Sequence, residues 1–180
     1  MNTIVSHAFR PSLAMFVAAT LLVGCAEEGP VEPAGIPAQF AMAAAGDGAA
    51  IATLRRVTAR YHNVDVAIAE GFIQLSECEV LPGHGPTGLL YANLDRVLDG
   101  VIDIEEPEGL LYEPGRDGRL KLVAVDLAVP YALWTDAVPP EFLGNTFQRE
   151  DEFGAWALHV WIWRHNPDGM FAPANPNVTC

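Results

Sequence analysis

The sequence predicts an α+β fold: one long N-terminal helix packed on a mainly antiparallel β-sheet, with a C-terminal tail stapled by a disulfide. Three observations predict it. Residues 48–71 carry an apolar stripe at helical spacing, residues 109–129 read as a hairpin around a tight polar turn, and residues 155–163 form an apolar run suited to the inside of a sheet.

In the helix, Ile51, Leu54, Val57, Tyr61, Val64, Ile68 and Phe72 recur at spacings of three and four. Asp47 is placed to cap its start and Gly71 to end it, with Arg55, Arg56 and Arg60 off the stripe and facing water. Phe72 to Val80 alternates apolar and polar residues, which predicts a half-buried strand carrying Cys78. Pro82-Gly83-His84-Gly85-Pro86 reads as a loop, and Asn93 to Leu98, stopped by Gly100, as a short helix. Gly109 to Glu113 and Arg119 to Val129 flank Pro114-Gly115-Arg116-Asp117-Gly118, a hairpin pattern that Pro130 ends. Pro139 to Leu143 reads as one helical turn. Ala155 to Trp163 is apolar on both faces, so its place is central in the sheet. A tail rich in Pro, Asn and Gly follows, which packing must hold.

Ahead of this domain stands a processing segment. Leu13 to Gly24 is a continuous apolar run of 12 residues behind Arg10. A bilayer span needs about 20 residues, whereas a signal-peptide core is of this shorter length. The run ends in Leu22-Val23-Gly24-Cys25, which resembles the lipobox of bacterial lipoproteins. The resemblance implies that residues 1–24 are a signal peptide, that Cys25 is lipidated and becomes the new N-terminus, and that acyl chains tie the protein to a bilayer in the cell envelope. Each buried CH₂ of such a chain contributes about 0.8 kcal/mol. Ala26, not Asp, follows the Cys, which favours the outer membrane if the host has two. Residues 25–46 hold Pro, Gly, Glu and Ala without an amphipathic pattern, the composition of a tether. Residues 47–180 are then a single globular domain, long enough to bury a core.

The full chain has a net charge of −13. A surface this acidic argues against nucleic acid as a partner, because phosphate contacts need Lys and Arg. It also argues against lying flat on anionic lipid, so the bilayer is a partner through the acylated Cys25, and any protein or small-ligand partner is left unnamed. Of the three Cys, Cys25 is assigned to lipid, leaving Cys78 and Cys180. In an exported compartment two such thiols read as a disulfide. It closes a loop of about 100 residues, for which chain entropy predicts about 4–5 kcal/mol. Metal ligation by the two thiols is the alternative, although no C-x-x-C pair is present.

The C-terminal region is the most distinctive part of the chain. Leu158-His159-Val160-Trp161-Ile162-Trp163, Asn166-Pro167-Asp168-Gly169-Met170-Phe171, Asn175-Pro176-Asn177-Val178 and Cys180, together with Tyr112-Glu113-Pro114, resemble a family of short exported bacterial proteins with no assigned activity. The resemblance covers roughly residues 58–180. It implies a fold unit and an exported compartment, and no reaction. In that family a Gly-x-His-aromatic motif often follows the first Cys. Here Gly88-Leu89-Leu90-Tyr91 stands there, with Leu90 at the His place, which puts any His-dependent function of the relatives in doubt for this chain.

Glu113, Asp126, His159 and a loop His are the residues whose chemistry suits a divalent metal, since carboxylates and imidazoles ligate Zn, Mn or Fe. Strand geometry separates one of them. The hairpin sets Glu113 opposite about Leu120, so Asp126 lies six residues further on, roughly 20 Å away at 3.3 Å per residue. Glu113 then serves the hairpin end, accepting turn N–H groups or pairing with Arg119. Asp126 interrupts the apolar run Leu122 to Leu127, and a carboxylate there is costly unless paired. His159 likewise sits inside an apolar strand. The expectation is that the two strands share a sheet and that Asp126 and His159 hydrogen-bond in the core. The sharper reading is a metal or ligand site on that pair, with His84 as a further ligand; no other cofactor is indicated.

His62 and His165 are expected at the surface. Trp156, Trp161 and Trp163 suit core packing, with Trp161 and Trp163 on one strand face able to stack on a sugar or aromatic ligand. The chain has no nucleophile elbow, P-loop, dinucleotide fingerprint or H-E-x-x-H. Three function classes follow: a non-catalytic, surface-displayed binding or interaction module; a metal-binding protein or metal-dependent enzyme using His159 and Asp126; and a structural envelope protein.

Overall fold

The structure, a computed structural model, describes residues 46–180. The expected signal peptide, Cys25 and the expected tether up to residue 45 lie outside the described residues. Among the described residues no helix is long and apolar enough to cross a membrane.

The fold is α+β, but the long helix is a correction to the sequence reading. It divides into α1 (Asp47–Thr58), a 3₁₀ turn (Ala59–His62) and α2 (Val64–Ala69). Asn63 breaks it: its backbone is extended (φ −93°, ψ 107°) and its side chain caps α2 by accepting the Asp65 N–H. The apolar stripe continues across the break, so periodicity alone conceals it. Only the first part is honoured. Ala50, Leu54, Thr58 and Tyr61 are buried, whereas Ile68 is 51 % exposed. Gly46, not Asp47, occupies the N-cap, and Asp47 lies in the first turn.

The main sheet has six strands in the order β1 (Phe72–Gln74), β4 (Leu89–Asn93), β5 (Gly109–Pro114), β6 (Leu120–Pro130), β10 (Ala155–Val160) and β9 (Gln148–Glu150), every pair antiparallel. The strand expected over 72–80 stops at Gln74, and the rest of that stretch leads to a two-residue ribbon of β2 (Val80–Leu81) and β3 (Gly85–Pro86). Cys78 therefore sits in irregular chain. The short helix is α3 (Leu94–Val97), capped by Asn93. Pro139 to Leu143 is not a helical turn. It opens a hairpin of β7 (Glu141–Phe142) and β8 (Asn145–Thr146), whose two turn residues, Leu143 and Gly144, both have positive φ (51° and 73°). Such a turn matches the twist of a hairpin. Leu143 takes this disfavoured conformation while packing its side chain against the core.

β6 organises the sheet. Residues Leu122 to Val129 are all buried, on two faces of different character. Val125, Leu127 and Val129 pack with Ala50 and Leu54 of α1 and with Leu158 and Val160 of β10. Full burial of side chains this size contributes about 1.5–3 kcal/mol each. Tyr61, Phe72, Leu110, Tyr112 and Leu122 form a second cluster. The opposite face bears Ala124, Asp126 and Ala128. Register shifts between Leu111 and Tyr112, so that Leu111 pairs with Ala124 and Tyr112 with Leu122. Val123 is left as the extra residue of a bulge, and its carbonyl accepts the N–H groups of Trp163 and Arg164. This is where the chain leaves β10: pairing ends at Val160, and Trp161 and Trp163 are not on a strand as expected.

The tail is held by side-chain amides. Asn166 donates to the Ala174 carbonyl, and Asn175 and Asn177 both donate to the His165 carbonyl. Asn166 and Asn175 also accept N–H groups two residues ahead, from Asp168 and Asn177. Cys180 is joined to Cys78, with Cα atoms 5.4 Å apart, closing a separation of 102 residues. Glu113 has a different task from the one expected. It faces Lys121 across the hairpin, accepts the Thr179 N–H and lies 3.9 Å from Arg164, while Arg119 pairs with Asp117. It anchors the tail, not the turn.

Candidate functional site

Alternation in β6 and β10 places small side chains on the sheet face away from α1. Ala124, Asp126 and Ala128 come from one strand; Ala155, Ala157 and His159 come from the other. Ala92 of β4 extends the same floor. Small residues here leave space where the other face has Val and Leu. The result is a cavity of about 360 Å³. Its walls are apolar: Leu75, Leu81, Leu90, Leu94, Leu98 and Phe153. Leu94, Leu98 and Phe153 are exposed at the rim. A volume in this range and a mainly apolar lining with a few polar groups are the usual features of a small-molecule site.

The charged groups are acidic. Glu79, Glu108, Asp126, Glu150 and Glu152 line the cavity together with His159, Ser76 and Thr87, and among the described residues no Lys or Arg does. Asp126 pairs directly with His159 across β6–β10 and with Gly109 across β5–β6. Gly109 is needed for this approach, because a Cβ there would stand 2.8 Å from the Asp126 Cβ and 3.0 Å from its Oδ2. Asp126 is 4 % exposed, and its Oδ1 has no hydrogen-bond partner. His159 Nε2 lies 3.7 Å from it. The expectation that the two residues lie side by side in one sheet holds. The hydrogen bond expected between them is absent at that distance.

The reason lies on the other side of the imidazole. His159 Nδ1 is 2.7 Å from the Pro173 carbonyl. A carbonyl only accepts, so Nδ1 carries the proton and Nε2 of the neutral ring is an acceptor. The tail thus fixes the ring by its outer nitrogen and turns the inner one toward Asp126. Burial pushes the Asp126 carboxyl well above the usual carboxylate range, with Glu150 acting in the same direction. Burial also lowers the His159 imidazole, against the opposing effect of the Pro173 contact. Both shifts favour uncharged forms.

Glu108 is the polar residue that sequence reasoning missed. It is 1 % exposed and accepts N–H groups from Asp103 and Ala128. Burial raises its carboxyl well above the usual range, and Asp126 adds to the rise. Glu150 of β9 is raised by burial and then by Glu79 and Glu152. These mutual influences put the acids around one space.

No family model matches the chain, nor does any curated protein or solved structure.

The remaining candidates are dispersed. His84 lies in a separate surface groove with Asp168 and Phe171, so it is not brought to Asp126 and His159. Among the described residues no three His, Cys, Asp or Glu side chains are grouped to hold a metal ion. His62 is exposed and meets Trp163 edge to face at 4.4 Å, and His165 is exposed. Trp161 is buried and donates to the Ala172 carbonyl; Trp163 donates to Thr58. Trp156 packs against Tyr131. The three indoles are committed to packing.

Proposed function

We propose that this chain is an exported lipoprotein, tied to a membrane through Cys25, whose domain is a non-catalytic binding module for a small molecule with an apolar body. One observation carries the binding reading: the 360 Å³ cavity, floored by Ala and Gly and walled by Leu and Phe. A sheet face meant only for packing is filled by larger side chains, as the α1 face is. The anchor rests on the lipobox spacing before Cys25. The likeness of the C-terminal motifs to short exported proteins and the Cys78–Cys180 bridge support the same compartment. A tether then holds the cavity away from the bilayer.

N-phenyl-1-naphthylamine, whose fluorescence rises in apolar surroundings, tests the binding reading. The expected result is saturable binding of one equivalent by the mature chain. Absence of a saturable signal would contradict it. For the anchor, Cys25→Ser should appear in the soluble fraction or as an uncleaved precursor; unchanged maturation and membrane fractionation would overturn that part.

The second reading, a divalent metal on His159 and Asp126, is favoured by their adjacency alone. Element analysis of the purified protein separates it from the first.

A further inference from the structure

We infer that the cavity selects ligands bearing an ammonium group, seated against the Asp126 carboxyl and His159 Nε2, with the apolar body against the leucine walls. The inference rests on the binding reading above and adds the chemistry of the ligand's head.

Asp126 Oδ1 is a buried acceptor with no donor. An orphaned buried acceptor of this kind costs about 1–3 kcal/mol, and Gly109 is kept without a side chain where one would crowd it. Beside it, His159 Nε2 is a second acceptor, because Nδ1 spends its proton on Pro173. The two stand 3.7 Å apart. A primary ammonium has three N–H donors and no acceptor, so a single nitrogen can serve both. The surrounding charge points the same way. Among the described residues five carboxyl groups and no Lys or Arg line the cavity; the exposed Glu79 and Glu152 attract cations and repel anions, and Asp126 joins them once an ammonium is seated. A metal ion is the poorer fit: it requires more ligands than this pair supplies, and most of the cavity wall is hydrocarbon.

The groups facing Asp126 are Glu108 ahead of β5, His159 on β10 and Glu150 on β9, with Glu79 and Glu152 nearer the mouth. Seating an ammonium draws Asp126 into its ionised form, so binding releases a proton from the carboxyl to solvent. Amine affinity therefore rises with pH over the range in which the free Asp126 carboxyl is protonated, while a neutral ligand's does not.

Calorimetric titration of the mature chain with n-octylammonium, 1-octanol and octanoate tests this at pH 7.5. Octylammonium should bind at least tenfold tighter than octanol, and octanoate most weakly. Asp126→Asn should cut octylammonium affinity about tenfold and leave octanol within about twofold. If that variant does not fold, the wild-type pH series decides: a rise for the amine and none for the alcohol supports the assignment. Equal binding of amine and alcohol, or an amine preference unaltered in Asp126→Asn, would overturn the head-group inference and leave the binding reading standing. Binding of none of the three, together with no naphthylamine signal, would overturn both.

Discussion

The two faces of one sheet have been built for different ends. Toward α1, β6 and β10 present Val125, Leu127, Val129, Leu158 and Val160, which interlock with Ala50 and Leu54. On the reverse, the same strands present Asp126, Ala128, Ala155, Ala157 and His159 around a cavity with an unsatisfied carboxyl oxygen. Strand alternation assigns neighbouring residues to opposite faces, so the packed face and the hollow face are separated by one position along the chain. The difference teaches that the acidic, hollow face is stable because the other face carries the fold.

The largest effect should come from the filled face. Leu127→Ala should cost about 2–5 kcal/mol in urea unfolding, because a buried leucine is lost and a cavity left. A cost below about 1 kcal/mol would mean that the α1 face is not the main source of stability. Removing the Cys78–Cys180 bridge by Cys78→Ser together with Cys180→Ser should cost about 2–4 kcal/mol. The loss should be accompanied by weaker ligand binding, since Ser76, Glu79 and Leu81 beside Cys78 line the cavity. Thiol titration of the denatured, unreduced protein should find neither cysteine free.

A smaller effect is electrostatic. The folded-state pKa of Asp126 is raised by burial and by Glu150. Its share of stability is therefore present below the ordinary carboxylate pKa near 4 and is lost as pH rises through the folded value. His159, lowered by burial, acts oppositely, and its share is lost as pH falls below about 6.5. Asp126→Asn removes only the first contribution. Relative to wild type, the variant should gain stability as pH rises above about 4. A difference independent of pH would show that Asp126 does not titrate in the folded protein. The smallest effect concerns the break in the helix. Asn63→Ala should cost about 1 kcal/mol through loss of the α2 cap, leaving naphthylamine binding unchanged.

Much of this fold was legible in the residues. Pro114 to Gly118 marked the hairpin, and the dense apolar runs around Asp126 and His159 placed those residues on neighbouring strands. Two cysteines left once Cys25 is set aside indicated the bridge. Asn63 was not legible as a break, because the stripe from Tyr61 to Val64 keeps its spacing while the backbone turns. β9 and the β7–β8 hairpin are too short and polar for periodicity to reveal. Glu108 sits in Glu105-Glu106-Pro107-Glu108-Gly109, which reads as solvated loop, yet it is buried because it caps N–H groups that the sheet leaves unpaired. The cavity had a signal that went unused. In Ala124-Val125-Asp126-Leu127-Ala128-Val129, and again in Ala155 to Val160, small or polar residues alternate with large ones. Both strands were read as uniformly apolar, whereas the alternation marks one full face and one hollow face.

The central claim is tested most directly on adjacent residues of β10, Ala157 and Leu158, by measuring naphthylamine binding and urea stability for Ala157→Leu and Leu158→Ala. Ala157→Leu should abolish saturable binding while changing stability by less than about 1.5 kcal/mol, the range of a tolerated size change. Leu158→Ala should lose about 2–5 kcal/mol and bind the dye as wild type does under conditions where it is folded. The opposite pattern, or a Leu at position 157 that leaves binding intact, would contradict the division of the sheet into a structural and a ligand-binding face.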